Sequence, residues 1–383
     1  MIPYGRQNIS QTDIDAVIDI LKSDFLTQGP AVNSFEEALT QKAGGKYAVA
    51  FANATAALHV GCLALDLGPG DFLWTSPITF VASANVGRYC GAMIDFVDVD
   101  PETFNICPEA LEEKLKLAKT TGRLPKIVVA VHMCGQSPDM RRIGKLAAVY
   151  GFKVIEDASH AIGATYLGAP VGSCTYSDIT VFSFHPVKII TTGEGGAALT
   201  NDSSIAGRMQ RLRSHGITRD PSLMIGESDG PWYYQQLELG YNYRITDIQA
   251  ALGLSQLGRL GEFLDGRRAI ADRYDALLDK LPVDLPGRLS EANSSWHLYV
   301  LRLQDASRHL AVFQSLRSDG IGVNLHYIPV HLQPYYQQLG FRIGDYPISE
   351  DYYSRAISLP IYPDLDDASQ LQVVAALEKS IAA

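Results

Sequence analysis

Short apolar segments alternate with longer amphipathic ones through the first half of the chain, and this alternation constrains the fold most. Runs such as 126–131 (KIVVAV) are apolar throughout and rich in β-branched residues, which is typical of strands buried on both faces of a sheet. Strands are predicted at 46–51, 72–75, 93–98, 126–131, 153–156, 179–184 and 196–200. Helices are predicted at 10–22, 32–43, 54–67, 80–90, 108–119, 138–150 and 202–213. The alternation predicts an α/β fold with a mostly parallel seven-stranded sheet between helices.

The last third of the chain has a different pattern, which predicts a smaller C-terminal α+β lobe. A helical stretch from about Thr246 to Leu281 leads into a strand at 297–303, a helix at 307–319, a strand at 321–327 and helices at 349–357 and 367–381. Single cores stop growing near ~250–300 residues, so two lobes are expected. We predict a large domain at 1–255 and a small domain at 256–383, tightly packed because no Pro/Gly-rich linker separates them.

Composition excludes several classes of protein. The net charge of −10 argues against broad binding of nucleic acid or of an anionic membrane, since both require a basic face, yet it permits a local basic pocket. The five cysteines are scattered and form no CxxC pair, which predicts reduced thiols and no metal site. The chain has neither a signal-peptide pattern nor a long apolar run, so we expect a cytoplasmic protein with no membrane segment.

Lys188 is the most informative single residue. It follows the apolar segment 178–184, has apolar neighbours on both sides, and precedes Gly193, Gly195 and Gly196. Burial of an ammonium group is costly and lowers its pKa. The resulting neutral amine is a nucleophile suited to Schiff-base chemistry with a carbonyl or with pyridoxal phosphate. The alternative is an ordinary surface lysine at the end of a strand.

Two further segments fit a cofactor site. Asp157 follows the apolar pair Val154 and Ile155 where a strand opens into a loop, which is the edge at which open α/β sheets bind ligands. A carboxylate there suits the protonated ring nitrogen of pyridoxal phosphate, although Asp157 could equally be a helix N-cap. The segment 53–59 opens an apolar helix with small residues, so its N–H groups suit a phosphate, the alternative being a plain capped helix.

Taken together, the motifs of the chain resemble those of the DegT/StrS-type nucleotide-sugar aminotransferases, which are fold-type I pyridoxal-phosphate enzymes. The matching segments are ANATAA at 52–57, EDASHA at 156–161, FSFHPVK at 182–188 with GEGG at 193–196, and GYNYR at 240–244. The segments SDFLTQGP at 23–30 and HYIPVHLQP at 326–334 narrow the resemblance to enzymes that aminate C4 of the sugar. The resemblance extends from Ile2 to about Ala376.

The resemblance implies roles for the residues that would surround the cofactor ring. Lys188 would form the Schiff base and then move a proton as general acid and base. Asp157 would hold the pyridinium proton. His160 would hydrogen-bond the phenolic oxygen, the alternative being a structural histidine. Phe80 would stack on the ring, although core packing would be the better reading without the resemblance.

The resemblance also implies how the phosphate is held and that the active site is shared. Ala54, Thr55 and Ser183 would bind the phosphate through backbone N–H groups and hydroxyls. Ala56 stands where the family pattern has a serine, so one hydroxyl contact is expected to be missing. Asn242 would reach the phosphate from the other subunit, which implies an obligatory homodimer with shared active sites.

On the substrate side, the resemblance places His326, Tyr327 and His331 against the nucleotide sugar, with Thr27 and Gln28 lining the same cleft. Packing between the lobes is the equal alternative. The expected reaction is a transamination from L-glutamate to the C4 ketone of a UDP-linked 2-acetamido-2,6-dideoxy-hexos-4-ulose, as in pseudaminic acid synthesis. A sugar of bacillosamine or perosamine type is the alternative substrate. A sugar 3-dehydratase would have His in place of Lys188, and a non-catalytic regulator should lack Lys188 or Asp157.

Overall fold

A computed structural model describes residues 1–382 as an α/β chain with fifteen strands in that range. The strands are β1 Tyr47–Phe51, β2 Phe72–Thr75, β3 Met93–Phe96, β4 Ile127–Val131, β5 Lys153–Asp157, β6 Thr165–Tyr166, β7 Ala169–Pro170, β8 Ile179–Ser183, β9 Gly196–Thr200, β10 Ile217–Thr218, β11 Gln235–Gln236, β12 Val283–Asp284, β13 Ala292–Asn293, β14 Tyr299–Leu303 and β15 Ala356–Leu359.

The chain also forms thirteen α-helices within residues 1–382. They are α1 Gln11–Leu21, α2 Pro30–Ala43, α3 Ala54–Ala64, α4 Ala82–Tyr89, α5 Pro108–Thr121, α6 Met140–Tyr150, α7 Ser203–Arg213, α8 Asp247–Gly258, α9 Leu260–Leu278, α10 His309–Ser318, α11 Pro334–Gln337, α12 Pro347–Arg355 and α13 Asp367–Ala382. Within residues 1–382, no helix is both long enough and apolar enough to cross a bilayer.

Seven strands form the large sheet, in the order β1-β9-β8-β5-β4-β2-β3. All neighbours are parallel except at β9, which runs antiparallel to both β1 and β8. This confirms the predicted mostly parallel seven-stranded α/β sheet. The seven predicted strands all form, with ends that shift by at most two residues.

Both faces of this sheet are buried, which explains the continuous apolar runs. In β4, Ile127 and Val129 pack into one cluster with residues of α3, whereas Val128 and Ala130 pack into another with Leu111 of α5. Side chains of a strand alternate between the two faces, so helices on both sides require apolar residues at every position. The carboxyl ends of β5 and β8 lie side by side, with Asp157 paired to Val181.

The C-terminal region contains a smaller antiparallel sheet in the order β12-β14-β15. The predicted strand at 321–327 is wrong, because this segment makes only isolated bridges, at Ile321 and Asn324, and its remaining backbone is irregular. The predicted helix at 349–357 ends at Arg355, and Ala356–Leu359 instead pairs with β14. The secondary structure of both segments therefore depends more on pairing with distant strands than on local sequence.

The predicted helical stretch from Thr246 to Leu281 is two helices, α8 and α9, which meet at Arg259. Thr246 begins α8 with a capping box to Gln249, and Arg259 has non-helical dihedral angles. The start of α9 packs in the core below the large sheet, whereas its second half packs against the small sheet. A division at 255/256 stays a prediction, and it would fall inside α8.

Helix α1 is held to α8 by a buried carboxylate. Asp13 forms a capping box with Ser10, since its carboxylate accepts from the Ser10 N–H at 2.8 Å. The same fully buried carboxylate accepts from Ser255 Oγ at 2.6 Å and from Gln256 Nε2 at 2.7 Å. Arg259 lies 3.4 Å away. One side chain thus caps one helix and docks it onto another.

Replacement of Asp13 by Ala should lower the free energy of unfolding of the cofactor-free protein by about 3 kcal/mol, because it leaves buried donors of α8 without an acceptor. Chemical denaturation followed by circular dichroism measures this change. Asp15→Ala, on the exposed side of the same helix, is the matched control and should stay within about 0.5 kcal/mol of the parent protein. Equal effects of the two substitutions would contradict the docking role of Asp13.

Candidate active site

A cavity of about 900 Å³ opens at the carboxyl ends of β5 and β8. Its walls come from α3, from the turn before α4, from the loops after β5 and β8, and from the C-terminal region. Seven of the residues predicted to surround a cofactor line this cavity, namely Ala54, Thr55, Phe80, Asp157, His160, Ser183 and Lys188. Seven residues from separate parts of the sequence therefore lie around one space.

Lys188 is half-buried, and the alternative of an ordinary surface lysine does not fit this position. Burial lowers the pKa of its amine to about 8, and the carboxylate of Asp157 opposes part of that shift. Its Nζ lies 3.5 Å from Nε2 of His297. An amine with this pKa is neutral for part of the time near neutral pH, as a nucleophile and proton carrier must be.

Asp157 ends β5 with its carboxylate held in a fixed orientation. Ser83 Oγ donates to Oδ2 at 2.6 Å, and the Ser159 hydroxyl and N–H donate to Oδ1 at 2.6 and 3.2 Å. Only 6% of the residue is exposed. The alternative of a helix N-cap is wrong, because residues 158–164 form turns and no helix. The orientation suits a carboxylate that faces a bound cationic group.

The start of α3 offers two free N–H groups to an anion. Asn53 caps the helix through Oδ1, which accepts from the Ala56 N–H at 2.8 Å. The N–H groups of Ala54 and Thr55 donate no hydrogen bond within residues 1–382. The predicted capped helix and the predicted phosphate cradle are thus compatible, and the helix dipole favours a negative charge here.

Gly196 allows this cradle to lie directly against the sheet. A Cβ atom at position 196 would lie 2.5 Å from the Ala54 nitrogen and 2.6 Å from its Cα. Any side chain there would push the start of α3 away from β9. Gly196 pairs with Ser183 across the strands, and the Ser183 hydroxyl, which also lines the cavity, makes no hydrogen bond within residues 1–382. The Ser183 hydroxyl can therefore donate a hydrogen bond to the same anion.

Phe80 lies in the turn before α4 with 58% of its surface exposed, although it is a large apolar side chain. Its ring lies 6.2 Å from that of Tyr327, centroid to centroid. An exposed ring in a cavity wall is not part of a packed core, and it offers a flat apolar surface to a planar ligand. The core-packing alternative for Phe80 therefore does not fit the structure.

His160 and His297 form a buried pair of imidazoles beside Lys188. Their ring centroids are 4.4 Å apart, and Nδ1 of each ring has no partner within residues 1–382. His160 Nε2 lies 3.1 Å from the hydroxyl of Tyr327. Burial and the charge of Lys188 hold the pKa of both imidazoles well below the usual value, so both are neutral. The unpartnered nitrogens can hydrogen-bond to a ligand or to a bound water.

Sequence reasoning missed His297, because it lies outside the recognised motifs and a lone histidine before a strand carries no pattern. The buried guanidinium of Arg267 donates to the carbonyls of Trp296 and His297 at 3.1 and 3.2 Å. Arg267 therefore fixes the backbone that presents His297 to Lys188. Burial lowers the pKa of this guanidinium to about 10.

The residues predicted to contact the sugar fall into two groups. His326 and Tyr327 line the cavity. The prediction for His331 is wrong, because its ring is fully buried between Phe96 and Tyr346, and its Nε2 lies 2.9 Å from Oε1 of Glu350. It is a core histidine with a carboxylate partner.

Thr27, Gln28 and Asn242 do not line the cavity of their own chain. A backbone bridge holds Thr27 against Thr246, and all three residues are exposed. The expectation that Thr27 and Gln28 line the cleft is therefore not met within one subunit. For Asn242, exposure agrees with the predicted reach into the partner subunit, which stays a prediction.

These residues fit pyridoxal phosphate. The free N–H groups of α3 and the Ser183 hydroxyl suit its phosphate, and the exposed ring of Phe80 suits its pyridine face. The Asp157 carboxylate suits its protonated nitrogen, and the amine of Lys188 suits its carbonyl. Few other ligands would use an anion cradle, a flat apolar wall, a buried carboxylate and a near-neutral amine within one cavity.

Comparison with known proteins gives an independent result. The model of the DegT/DnrJ/EryC1/StrS aminotransferase family matches residues 7–378. A spore coat polysaccharide biosynthesis protein, SpsC of Bacillus subtilis, is 38% identical over 382 residues, which are 98% of this chain and 96% of that protein. A UDP-4-amino-4,6-dideoxy-N-acetyl-beta-L-altrosamine transaminase of Campylobacter jejuni is 37% identical over 371 residues, 96% of this chain and 94% of that one.

Among solved structures, the chain is similar to Helicobacter pylori PseC, an aminotransferase involved in the biosynthesis of pseudoaminic acid. The TM-score is 0.90 at 32% identity, and the match covers 100% of this chain and 99% of that one.

The amine of Lys188 should react with an acylating reagent in the cofactor-free protein with a half-maximal rate near pH 8, because only the neutral amine reacts. Exposed lysines of the same digest, whose ordinary pKa is about 10.4, are the internal reference in mass spectrometry. Asp157→Asn removes the carboxylate that raises this pKa, so the midpoint should move further down. A midpoint near 10, or an upward shift in Asp157→Asn, would contradict this arrangement.

Proposed function

The chain belongs to the DegT/DnrJ/EryC1/StrS aminotransferase family, whose members are pyridoxal-phosphate-dependent sugar aminotransferases, and from this premise we propose its substrate. The protein transfers an amino group from L-glutamate to the C4 ketone of UDP-2-acetamido-2,6-dideoxy-β-L-arabino-hexos-4-ulose. The product is UDP-4-amino-4,6-dideoxy-N-acetyl-β-L-altrosamine, a precursor of pseudaminic acid. The observation that carries this proposal is the chain-long similarity to the Campylobacter transaminase and to PseC, combined with an intact cavity around Lys188.

Lys188 is the proposed catalytic residue. When bound, pyridoxal phosphate supplies an electron sink that makes the proton beside a substrate amino group removable. The Lys188 amine, with a pKa of about 8, accepts that proton when neutral and returns it when charged. Its two protonation states are close in free energy near neutral pH, so the same group serves as base and as acid. The neutral imidazole of His297, 3.5 Å from Nζ, can accept a hydrogen bond from the amine and hold its position.

The other site residues bind and orient. Asp157 would hold the proton on the ring nitrogen, because Ser83 and Ser159 fix its carboxylate toward the cavity. His160 would hydrogen-bond the phenolic oxygen, and Phe80 would offer its ring to the pyridine face. Ala54, Thr55 and Ser183 would hold the phosphate. Of the residues predicted to contact the sugar, His326 and Tyr327 are kept in this role because they line the cavity.

We propose that the active site is completed by a second copy of the chain. Within the cavity, the phosphate is offered N–H groups and hydroxyls of one subunit, and Asn242 of a partner would add a further donor. The single chain also exposes apolar side chains on α1 and the following turn, which is the behaviour of an interface and not of a free surface. These residues are Ile14, Ile18, Leu21, Phe25 and Leu26.

Two other readings have less support. A C4 aminotransferase for a sugar of bacillosamine or perosamine type would need the same chemistry, so only the pocket's preference for one sugar separates it from the proposed function. The similarity to the Bacillus spore coat protein keeps this alternative open. A non-catalytic regulator would not need a desolvated lysine opposite a fixed carboxylate, and both are present.

We further propose that the protein acts in the cytoplasm. All five cysteines are free, including Cys62, Cys90 and Cys174 in the core. Reduced, scattered thiols are usual in a reducing compartment.

The substrate proposal predicts the outcome of a panel assay. The purified holoenzyme, given L-glutamate and a set of UDP-linked 4-keto sugars, should aminate the β-L-arabino-configured sugar with the highest kcat/KM. Mass spectrometry detects the amine, and NMR assigns the configuration at C4. Lys188→Ala should abolish the product in every case. Preference for a D-configured 4-keto sugar would replace the proposed substrate with the bacillosamine-type alternative.

The shared site predicts complementation between two impaired variants. In a mixed dimer of Lys188→Ala and Asn242→Ala subunits, one site collects both lesions and the other is intact if Asn242 acts across the dimer. Subunit exchange should then restore roughly a quarter of wild-type specific activity, because about half of randomly paired dimers are mixed and each has one working site.

Native mass spectrometry must confirm that subunits exchange, and Asn242→Ala alone must be clearly impaired. If Asn242 acts within its own chain, each site of the mixed dimer carries one lesion. The activity of the mixture would then not exceed the average of the two separate variants.

A further inference from the structure

The segment 240–244, which carries Asn242, is fixed to its own subunit by backbone hydrogen bonds. The Tyr243 N–H donates to the carbonyl of Arg213, the last residue of α7, at 3.0 Å. The Tyr243 carbonyl accepts from the N–H of Ala52, which lies between β1 and α3, at 2.8 Å. The start of α3 and the end of α7 therefore determine where this segment lies.

Two side chains of the segment face helix α3 of the same subunit. The rings of Tyr241 and Tyr243 are stacked, with centroids 4.9 Å apart and planes inclined by 13°. Both lie against the ring of His59, at centroid distances of 4.9 and 6.0 Å. Asn242, between them, is exposed, as the alternation of side chains along an extended segment requires. The contact with α3 thus leaves Asn242 directed away from that helix.

His59 is a buried polar side chain that the chemistry described above does not use. Only 4% of it is exposed, and it lines the active-site cavity. Its Nδ1 lies 3.4 Å from the Tyr243 hydroxyl, and its Nε2 has no partner within residues 1–382. A buried nitrogen without a partner costs free energy. Stability alone therefore does not account for a histidine at this position.

Helix α3 connects His59 to the phosphate cradle of its own subunit. Ala54 and Thr55 form the first turn, and His59 lies five residues after Ala54, which is about 7.5 Å along the helix axis. In a dimer with twofold symmetry every contact occurs twice. Each phosphate would then meet α3 of one subunit and an Asn242 whose position depends on α3 of the other.

We propose that His59 is a positioning residue that acts across the dimer. Its ring would hold Tyr241 and Tyr243, and these would hold Asn242 against the cofactor phosphate in the partner subunit. The inference rests on the shared site of the proposed function, and it extends that site to a residue that does not touch the phosphate. A change at His59 in one subunit should therefore weaken cofactor binding in the other subunit.

Calorimetry of pyridoxamine phosphate binding to the full-length, cofactor-free protein gives the first test. This ligand forms no covalent bond with Lys188, so its affinity reports the non-covalent contacts. His59→Ala should raise its Kd by about 10-fold, because a hydrogen bond to a charged group is weakened, and should leave the Kd of phosphate-free pyridoxamine unchanged. His59→Phe keeps a ring against the tyrosines, so its effect should be smaller.

His309→Ala, which removes an imidazole on α10 outside the cavity, is the matched control and should change neither Kd. Equal weakening of the two ligands by His59→Ala would indicate general damage to the cavity and would overturn the proposal. If His59→Ala does not fold, as judged from its thermal midpoint, His59→Gln removes the ring with a smaller change of volume and takes its place in every test.

A double-mutant cycle tests whether His59 acts through Asn242. Asn242→Ala removes the group that His59 is proposed to position. In that background His59→Ala should not raise the Kd of pyridoxamine phosphate any further, because no side chain is left to be held in place. Independent losses that add in free energy would contradict the proposed role.

Mixed dimers decide which of the two sites depends on His59. His59→Ala subunits are mixed with an excess of Lys188→Ala subunits, and native mass spectrometry confirms the exchange. Pyridoxal phosphate is then added at increasing free concentrations and fixed on Lys188 with sodium borohydride. Only the His59→Ala subunits retain Lys188, so mass spectrometry of this peptide reports their sites alone.

In such a mixed dimer, the site that retains Lys188 would receive its Asn242 from a subunit with an intact His59. The cofactor concentration for half-maximal labelling should therefore fall from the raised value of the His59→Ala homodimer to the value of the parent protein. A concentration that stays raised would mean that His59 supports α3 of its own subunit, and it would overturn the proposal.

The same mixture with Asn242→Ala in place of His59→Ala separates this inference from the shared site. If Asn242→Ala subunits regain the parent affinity and His59→Ala subunits do not, the shared site stands and the role of His59 is wrong. If only His59→Ala subunits regain it, the positioned residue is not Asn242, and the inference is wrong. If neither does, the shared site and the inference both fail, whereas amination of the UDP sugar by the parent protein tests the transaminase function independently.

Discussion

The desolvated amine of Lys188, opposed by one carboxylate at Asp157, is the interaction on which the rest of the site depends. Burial alone would shift the pKa of a lysine further down, and Asp157 limits that shift so that it remains near 8. The surrounding imidazoles respond to the same environment. Burial and the charge of Lys188 lower the pKa of His326 to about 3 and hold those of His160 and His297 well below the usual value. The cavity therefore has one group that carries a proton near neutral pH, and the neighbouring rings do not compete with it.

The large sheet could be predicted from sequence because its strands are buried on both faces and bounded by helices. Every residue of β4 is apolar, and both of its faces are buried. The structure that its sequence pattern predicts is therefore the one that its place in the fold requires. The C-terminal region lacks this agreement. Ala356–Leu359 follows α12 without a break in apolar pattern, and it becomes a strand because the exposed edge of β14 is available for pairing. Sequence periodicity cannot detect such an edge before the chain is folded.

The same distinction explains which site residues could be predicted. Asp157 and Ser183 lie where strands end, and parallel topology brings the ends of β5 and β8 together whatever the side chains are. His331 belongs to the same histidine- and tyrosine-rich segment as His326, but its ring turns into the core toward Glu350. His297 reaches Lys188 only because Arg267 holds its backbone from a helix thirty residues earlier. Side-chain direction in loops depends on such contacts, and no sequence pattern encodes them.

The positions of the positive charges connect the fold to the proposed chemistry. In the proposed site, the cofactor phosphate would meet the N–H groups of Ala54 and Thr55 and the hydroxyl of Ser183, and within residues 1–382 no lysine or arginine of the same chain other than Lys188 lines the cavity. A dianion held by neutral donors would rely on the dipole of α3, and the start of this helix can approach β9 only because Gly196 has no side chain. Cations are thereby kept away from Lys188, where an added positive charge would lower its pKa still further and remove its acid form.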